Sequence, residues 1–177
     1  MDKNYEDAKR LLQISSVNLQ NSLVDLEDDI ISSEFSIDNL DKQVFRNVSS
    51  VRELEAVNED NQWIEYHFIY SVGMRFISKI EDIEDENTGE VVADNPETEE
   101  PEIKQFLEIK AKFKAIYFSQ EKLDKDCIIA FCKENVGYHV WPYWREFVQH
   151  NCGRLGIDNI VIETYKVKTP PNKTEEQ

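Results

Sequence analysis

Glycine and proline are scarce in this chain, with five of each scattered through 177 residues. None of the glycines forms G-x-x-x-x-G-K-[ST] or G-x-G-x-x-G, so the backbone cradle that phosphate chemistry needs is missing and nucleotide-driven activity is disfavoured. Cysteine is both rare and odd in number. Cys127, Cys132 and Cys152 sit in apolar surroundings, which points to reduced, buried thiols in a reducing compartment rather than a disulfide framework. Taken with His139 and His150, their C-x4-C and H-x-C spacings lack the tight paired knuckles of structural zinc, and no cysteine lies in a nucleophile motif. No metal or cofactor is expected. The chain also lacks an apolar run long enough to span a bilayer, and MDKNYEDAKRLLQ at its start has no signal-peptide core. A cytosolic protein is the expectation. Cations are short as well: 20 Lys and Arg face 36 Asp and Glu, giving a net charge of -16. A phosphate backbone or an anionic membrane surface would be repelled, which excludes nucleic acid as a target. The charge reads either as solubility or as attraction for basic, partly unfolded polypeptides.

What is present suffices for a core. Hydrophobic residues make up 40% of the chain and aromatics 11%, well above a disordered composition, and a domain of this length buries roughly 70% of its unfolded surface. One domain over residues 1–165 is expected, interrupted by an acidic segment. From Glu81 to Glu102 eleven residues are Asp or Glu and none is Lys or Arg, so residues 81–102 read as a long mobile loop, with EVVA at Glu90–Ala93 leaving room for a short strand. Residues 166–177, KVKTPPNKTEEQ, read as a flexible tail.

Two segments flank the acidic loop, and both alternate with period two. Ile64, Tyr66, Phe68, Tyr70, Val72, Met74 and Phe76 share one face of the first; Leu107, Ile109, Ala111, Phe113, Ala115 and Tyr117 share one face of the second. Each is a strand with one side toward a core and one toward water. Glu108, Lys110, Lys112 and Lys114 line the polar side of the second, and hairpin pairing would set those lysines against Glu65 and His67. Upstream, QISSVNLQNSLVDLE and KQVFRNVSSVRELEAVN read as two more strands joined by DDIISSEFSIDNLDK. Four strands followed by helix means an α+β fold with a four-stranded antiparallel sheet.

The helical region opens after Gln120, where Leu123, Cys127, Ile128 and Phe131 fall at helical spacing. Gly137 weakens it, and Pro142 either starts a second helix or kinks a single long one. Gly153 and Gly156 supply the stop, and IDNIVIETYKV follows as a short extended segment suited to a sheet edge. Between Gly137 and Gly153 the apolar residues form two rows: Val140, Tyr143 and Phe147, then Trp141, Trp144 and Val148. A lone domain has too little core for both. Either the helix is wedged between subunits, or part of its aromatic surface is kept for a partner. Arg145 and Glu146 are adjacent and point about a hundred degrees apart, so an ion pair within the chain or across subunits is expected, not a catalytic pair.

The stretch Val140-Trp141-Pro142-Tyr143-Trp144-Arg145-Glu146, with the Gly-x-x-Gly-Ile turn at Gly153–Ile157, resembles the SecB-like family of export chaperones. The resemblance runs from about Gln13 to Ile162, though the strands match in pattern alone. It implies a homotetramer, a dimer of dimers, that holds unfolded chains passively in apolar grooves beneath the crossover and around the helix. On this reading Tyr66, Phe68, Tyr70, Tyr138 and Trp144 contribute to client binding, and Val140, Trp141, Tyr143, Phe147 and Val148 to the oligomer interface. The chain departs from the bacterial export chaperones in two ways: Ile162 leads into Glu163-Thr164-Tyr165-Lys166 instead of a proline-rich turn and second helix, and its fourth strand carries lysines where the family's docking of the translocase motor implies an acidic face. It looks more like the SecB-like chaperones dedicated to an antitoxin in toxin–antitoxin–chaperone systems. General preprotein export, with contact to the Sec translocase motor, is the alternative. A small acidic enzyme or ligand-binding α+β domain, its aromatic cluster lining a pocket, is the reading from another class.

Overall fold

The computed structural model describes residues 2–57, 62–79 and 103–166. The expected acidic loop with its EVVA strand, and the tail beyond Lys166, lie outside the described residues.

Strand β1 (Gln13–Leu26) is followed by a connection with one 3-10 turn at Ser32–Glu34. Strands β2 (Asp41–Val57), β3 (Gln62–Lys79) and β4 (Ile103–Ser119) complete a four-stranded sheet in the order β1-β4-β3-β2. Every neighbouring pair is antiparallel, so the fold class read from the sequence holds. The connection from β1 to β2 therefore crosses the whole sheet, and Phe35, Ile37 and Leu40 within it pack against the core.

Alternation in β3 and β4 explains the core. All the even residues from Tyr66 to Phe76 and all the odd residues from Leu107 to Tyr117 are buried on one face, where Phe68 and Tyr117 meet edge-on at 5.3 Å. Helix α2 (Lys125–Phe131), a π turn (Cys132–Val136) and helix α3 (Gly137–Leu155) run without a break over that face. Pro142 lies inside α3 and does not start a new helix. Gly153 is helical, and Gly156 ends α3 in the left-handed region at φ 70°, where a residue without a Cβ is favoured.

Three expectations change. Residues 3–11 form an additional helix, α1 (Lys3–Leu11), capped by the Asp2 side chain accepting from the Asn4 amide at 3.0 Å and burying Ala8. The final segment is extended but pairs with no strand among the described residues; it returns along α3 instead. The β3–β4 register places Lys110, Lys112 and Lys114 opposite Gly73, Ser71 and Ile69, while Glu65 and His67 face Phe118 and Ile116. Strand offset thus prevents the expected pairing: His67 and Glu65 bond each other at 2.9 Å, and Lys110 bonds Glu108 at 2.8 Å.

Candidate functional site

Helix α3 does not divide into the two rows expected of it. Its core row, with Val136 of the π turn, is Val136, Val140, Trp144, Val148 and Cys152, all at most 1% exposed. A step of four residues advances slightly past a full turn and holds one side of the helix on the sheet. This row takes Val140 from one expected stripe and Trp144 and Val148 from the other. Val140 and Val148 are thus inside the subunit, not on an interface surface. Tyr143 is exposed, and Trp141 and Phe147 are half-buried, Phe147 resting edge-on against Phe113 at 6.4 Å.

The expected client residues separate in the same way. Tyr66, Phe68 and Tyr70 are buried because strand periodicity places them beneath the helices. The Tyr66 hydroxyl accepts from the Leu123 amide at 2.9 Å. Burial, with the nearby Tyr165 adding to it, holds the Tyr70 phenol well above the usual tyrosine range. Tyr138 is 59% exposed, whereas Trp144 is 1% exposed and stacks on Phe147 at 6.1 Å.

Beside this core lies a groove of about 670 Å³. Val72, Met74 and Trp144 line its inner side; Lys42, Val44 and Arg46 of β2 and Trp141, Ile162 and Glu163 also border it. The groove exists because β2 extends beyond the cover of α3, which leaves Val44 68% exposed opposite Met74. Val44 was not among the residues singled out by sequence; it lies on the same face as Met74 only through a register that the alternation of β2 alone does not specify.

The returning segment closes one side. Trp141 donates its indole N–H to the Glu163 carbonyl at 2.6 Å. The Arg46 guanidinium lies over the rings of Trp141 and Tyr165, 5.2 and 4.5 Å from their centroids, and donates to the Lys166 carbonyl at 3.1 Å. A smaller cleft of about 310 Å³ opens between Tyr138, Pro142, Arg145 and Tyr165. The Arg145 Nε is buried without a hydrogen-bond partner, and neither Arg145 nor Glu146 forms an ion pair among the described residues.

The Tyr117 hydroxyl meets His139 Nδ1 at 2.9 Å, and burial lowers the His139 pKa, favouring the neutral ring. Burial pushes the Cys132 thiol up to about 11, which leaves little thiolate at neutral pH. Among the described residues no group of three or more His, Cys, Asp or Glu could hold a metal ion, and no helix is long and apolar enough to cross a membrane.

No family model and no curated protein matches the sequence. The structure does match a solved one: the Mycobacterium tuberculosis Rv1957 SecB-like chaperone in complex with a ChAD peptide from the Rv1956 HigA1 antitoxin, with a TM-score of 0.59 and 12% identity, covering 95% of this chain and 100% of that one. The chain therefore has the fold of a SecB-like chaperone.

Proposed function

We propose that this protein is an ATP-independent holdase that shelters an unfolded or aggregation-prone polypeptide in the groove between β2 and α3, and that its client is an antitoxin. The observation that carries the reading is the groove itself: an open, largely apolar trough beside the core, with Val44 presented to solvent at its margin. A client side chain laid there gains roughly 25 cal/mol for each Å² of apolar surface withdrawn from water, and several shallow contacts give affinity without strict sequence preference. The solved SecB-like neighbour holds an antitoxin peptide, which supports the choice of client. Homotetramer assembly and a cytoplasmic location belong to the same proposal.

Client contact in the groove is assigned to Val44, Met74 and Trp141, with Trp144 as support beneath them, and the exposed face of Tyr138 adds contact from the neighbouring cleft that Trp141 also lines. Val44→Glu tests it, because a residue so exposed can change without emptying the core. The variant should keep the wild-type denaturation midpoint yet bind an unfolded antitoxin about tenfold more weakly, a loss of about 1.4 kcal/mol. Undiminished binding and undiminished suppression of client aggregation would remove the groove from the mechanism.

A further inference from the structure

The cleft between α3 and the returning segment holds a cation that the chain itself does not neutralise. Arg145 lines it, forms no ion pair among the described residues, and keeps a buried Nε without a hydrogen-bond partner. Among the described residues no Asp or Glu lines the cleft. Glu146 is turned about a hundred degrees round the helix from Arg145, and the Glu163 carboxylate is held by Lys166 at 3.0 Å. His139, which also lines the cleft, adds a second donor. Its Nδ1 lies 2.9 Å from the Tyr117 hydroxyl. Burial holds that phenol well above the usual tyrosine range and keeps the imidazole neutral, so the hydroxyl donates, Nδ1 accepts, and the ring proton sits on Nε2. Tyr138, Trp141 and Tyr165 supply aromatic walls, the Tyr165 ring centred 6.4 Å from Tyr138 and 5.4 Å from Trp141.

We propose that this cleft receives the carboxylate of an acidic side chain in the bound client, with Arg145 as the residue that selects it. The inference rests on the client reading above and adds a specificity that an apolar groove alone lacks. Chemistry is the first argument. A carboxylate takes two parallel hydrogen bonds from a planar guanidinium and so completes one whose N–H groups are unpaired, whereas an amide of the same size brings one acceptor oxygen and no charge. The empty cleft leaves the Arg145 Nε desolvated and unsatisfied, a cost that binding offsets. Electrostatics is the second argument. A chain of net charge -16 repels acidic polypeptides over most approaches, so an acidic client residue is attracted where a cation stands clear of carboxylates. Lys42 and Arg46 share the groove with Glu163, while Arg145 has the cleft without an acid. Continuity is the third. Trp141 borders both hollows, and the returning segment passes from Ile162 and Glu163 beside the groove to Thr164 and Tyr165 beside the cleft, a step of about 7 Å in extended chain. A client seated in the groove thus reaches the cleft within a few residues, in mid-chain, where a side chain supplies the carboxylate.

Calorimetric titration of the full-length protein with short Leu- and Val-rich peptides, N-acetylated and C-amidated, tests the assignment. Each peptide carries one Glu or one Gln, moved stepwise along its length. At one position, or a narrow run of them, the Glu peptide should bind wild type about fivefold more tightly than its Gln counterpart, and the preference should fade near 1 M salt, where the screening length falls to about 3 Å. Arg145→Gln should bring the two peptides to equal affinity at an unchanged denaturation midpoint, and Arg145→Lys should restore part of the difference, since an ammonium keeps the charge without the fork. Val44→Gln should weaken both peptides alike and leave their ratio intact, so that a failure of the groove is distinguished from a failure of the cleft. Equal wild-type affinities at every position would overturn the proposal, as would a gain that follows a free C-terminal carboxylate instead of the side chain. A smaller native mass for Arg145→Gln would assign the cleft to an acid of a second copy and overturn it too. If neither peptide binds at any position, the client reading itself falls, and this inference with it.

Discussion

Gly137 of α3 lies against the Tyr165 side chain of the returning segment. A Cβ built there would meet ring carbons of Tyr165 at 2.8 Å, so the glycine admits the ring that the Arg46 guanidinium lies over. Replacing a helical glycine with alanine ordinarily stabilises by about 1 kcal/mol. Here Gly137→Ala alone should lower the urea midpoint and make Trp141 more accessible to a fluorescence quencher, because the ring must withdraw. In a Tyr165→Ala background the same substitution should raise the midpoint. The resulting coupling of about 1 kcal/mol or more in a double-mutant cycle measures the contact directly; additive effects would show that the close approach carries no energy. A parallel consideration makes Trp144→Ala a poor probe of client binding. Removing a fully buried tryptophan costs about 3–5 kcal/mol, so lost holding could not be separated from lost structure.

Pro142 sets the behaviour of α3 as an element. It has no amide hydrogen and so leaves the Tyr138 carbonyl without its helical donor, at a position where both residues face solvent. Pro142→Ala should therefore raise the unfolding free energy by about 1–3 kcal/mol, read from chemical denaturation. A fall would mean that the proline's bend is needed to seat the returning segment. Elements differed in how openly the sequence declared them. β3 and β4 were legible because each buries one complete face, so period two survives along their whole length. The core side of α3 was misread because apolar residues surround much of the helix; only contact with the sheet selects the four-residue row through Trp144. Helix α1 was missed although Asp2 could cap it and Lys9 and Arg10 suit its last turn, since only a short stretch carries those signals. The Arg46 contact with Tyr165 had no local signature at all: its partners lie 119 positions apart and meet only when β2 and the returning segment flank the same helix.

The two edges of the sheet set how whole molecules meet. β2 carries Asp41, Lys42, Arg46, Arg52, Glu53 and Glu55 and is interrupted by a bulge at Ser49, features that discourage strand addition. Over its fourteen residues β1 has a single charged side chain, Asp25, and leaves Ile14 and Leu19 exposed by 41% and 49% on the helix-bearing face. An edge so free of charge invites a second copy, and pairing there would also bring the exposed apolar residues of the two sheets together. Ile14→Lys with Leu19→Lys should accordingly lower the native mass from the proposed tetramer to a smaller species while the circular dichroism of the subunit is retained. Val57→Lys, at the end of the guarded β2 edge and 71% exposed, should leave the assembly intact. Equal masses for all three proteins would move the interface away from β1 and onto the exposed side of α3 around Tyr143. A wild-type protein that already has the mass of one chain would refute assembly itself, leaving the groove to act within a single subunit.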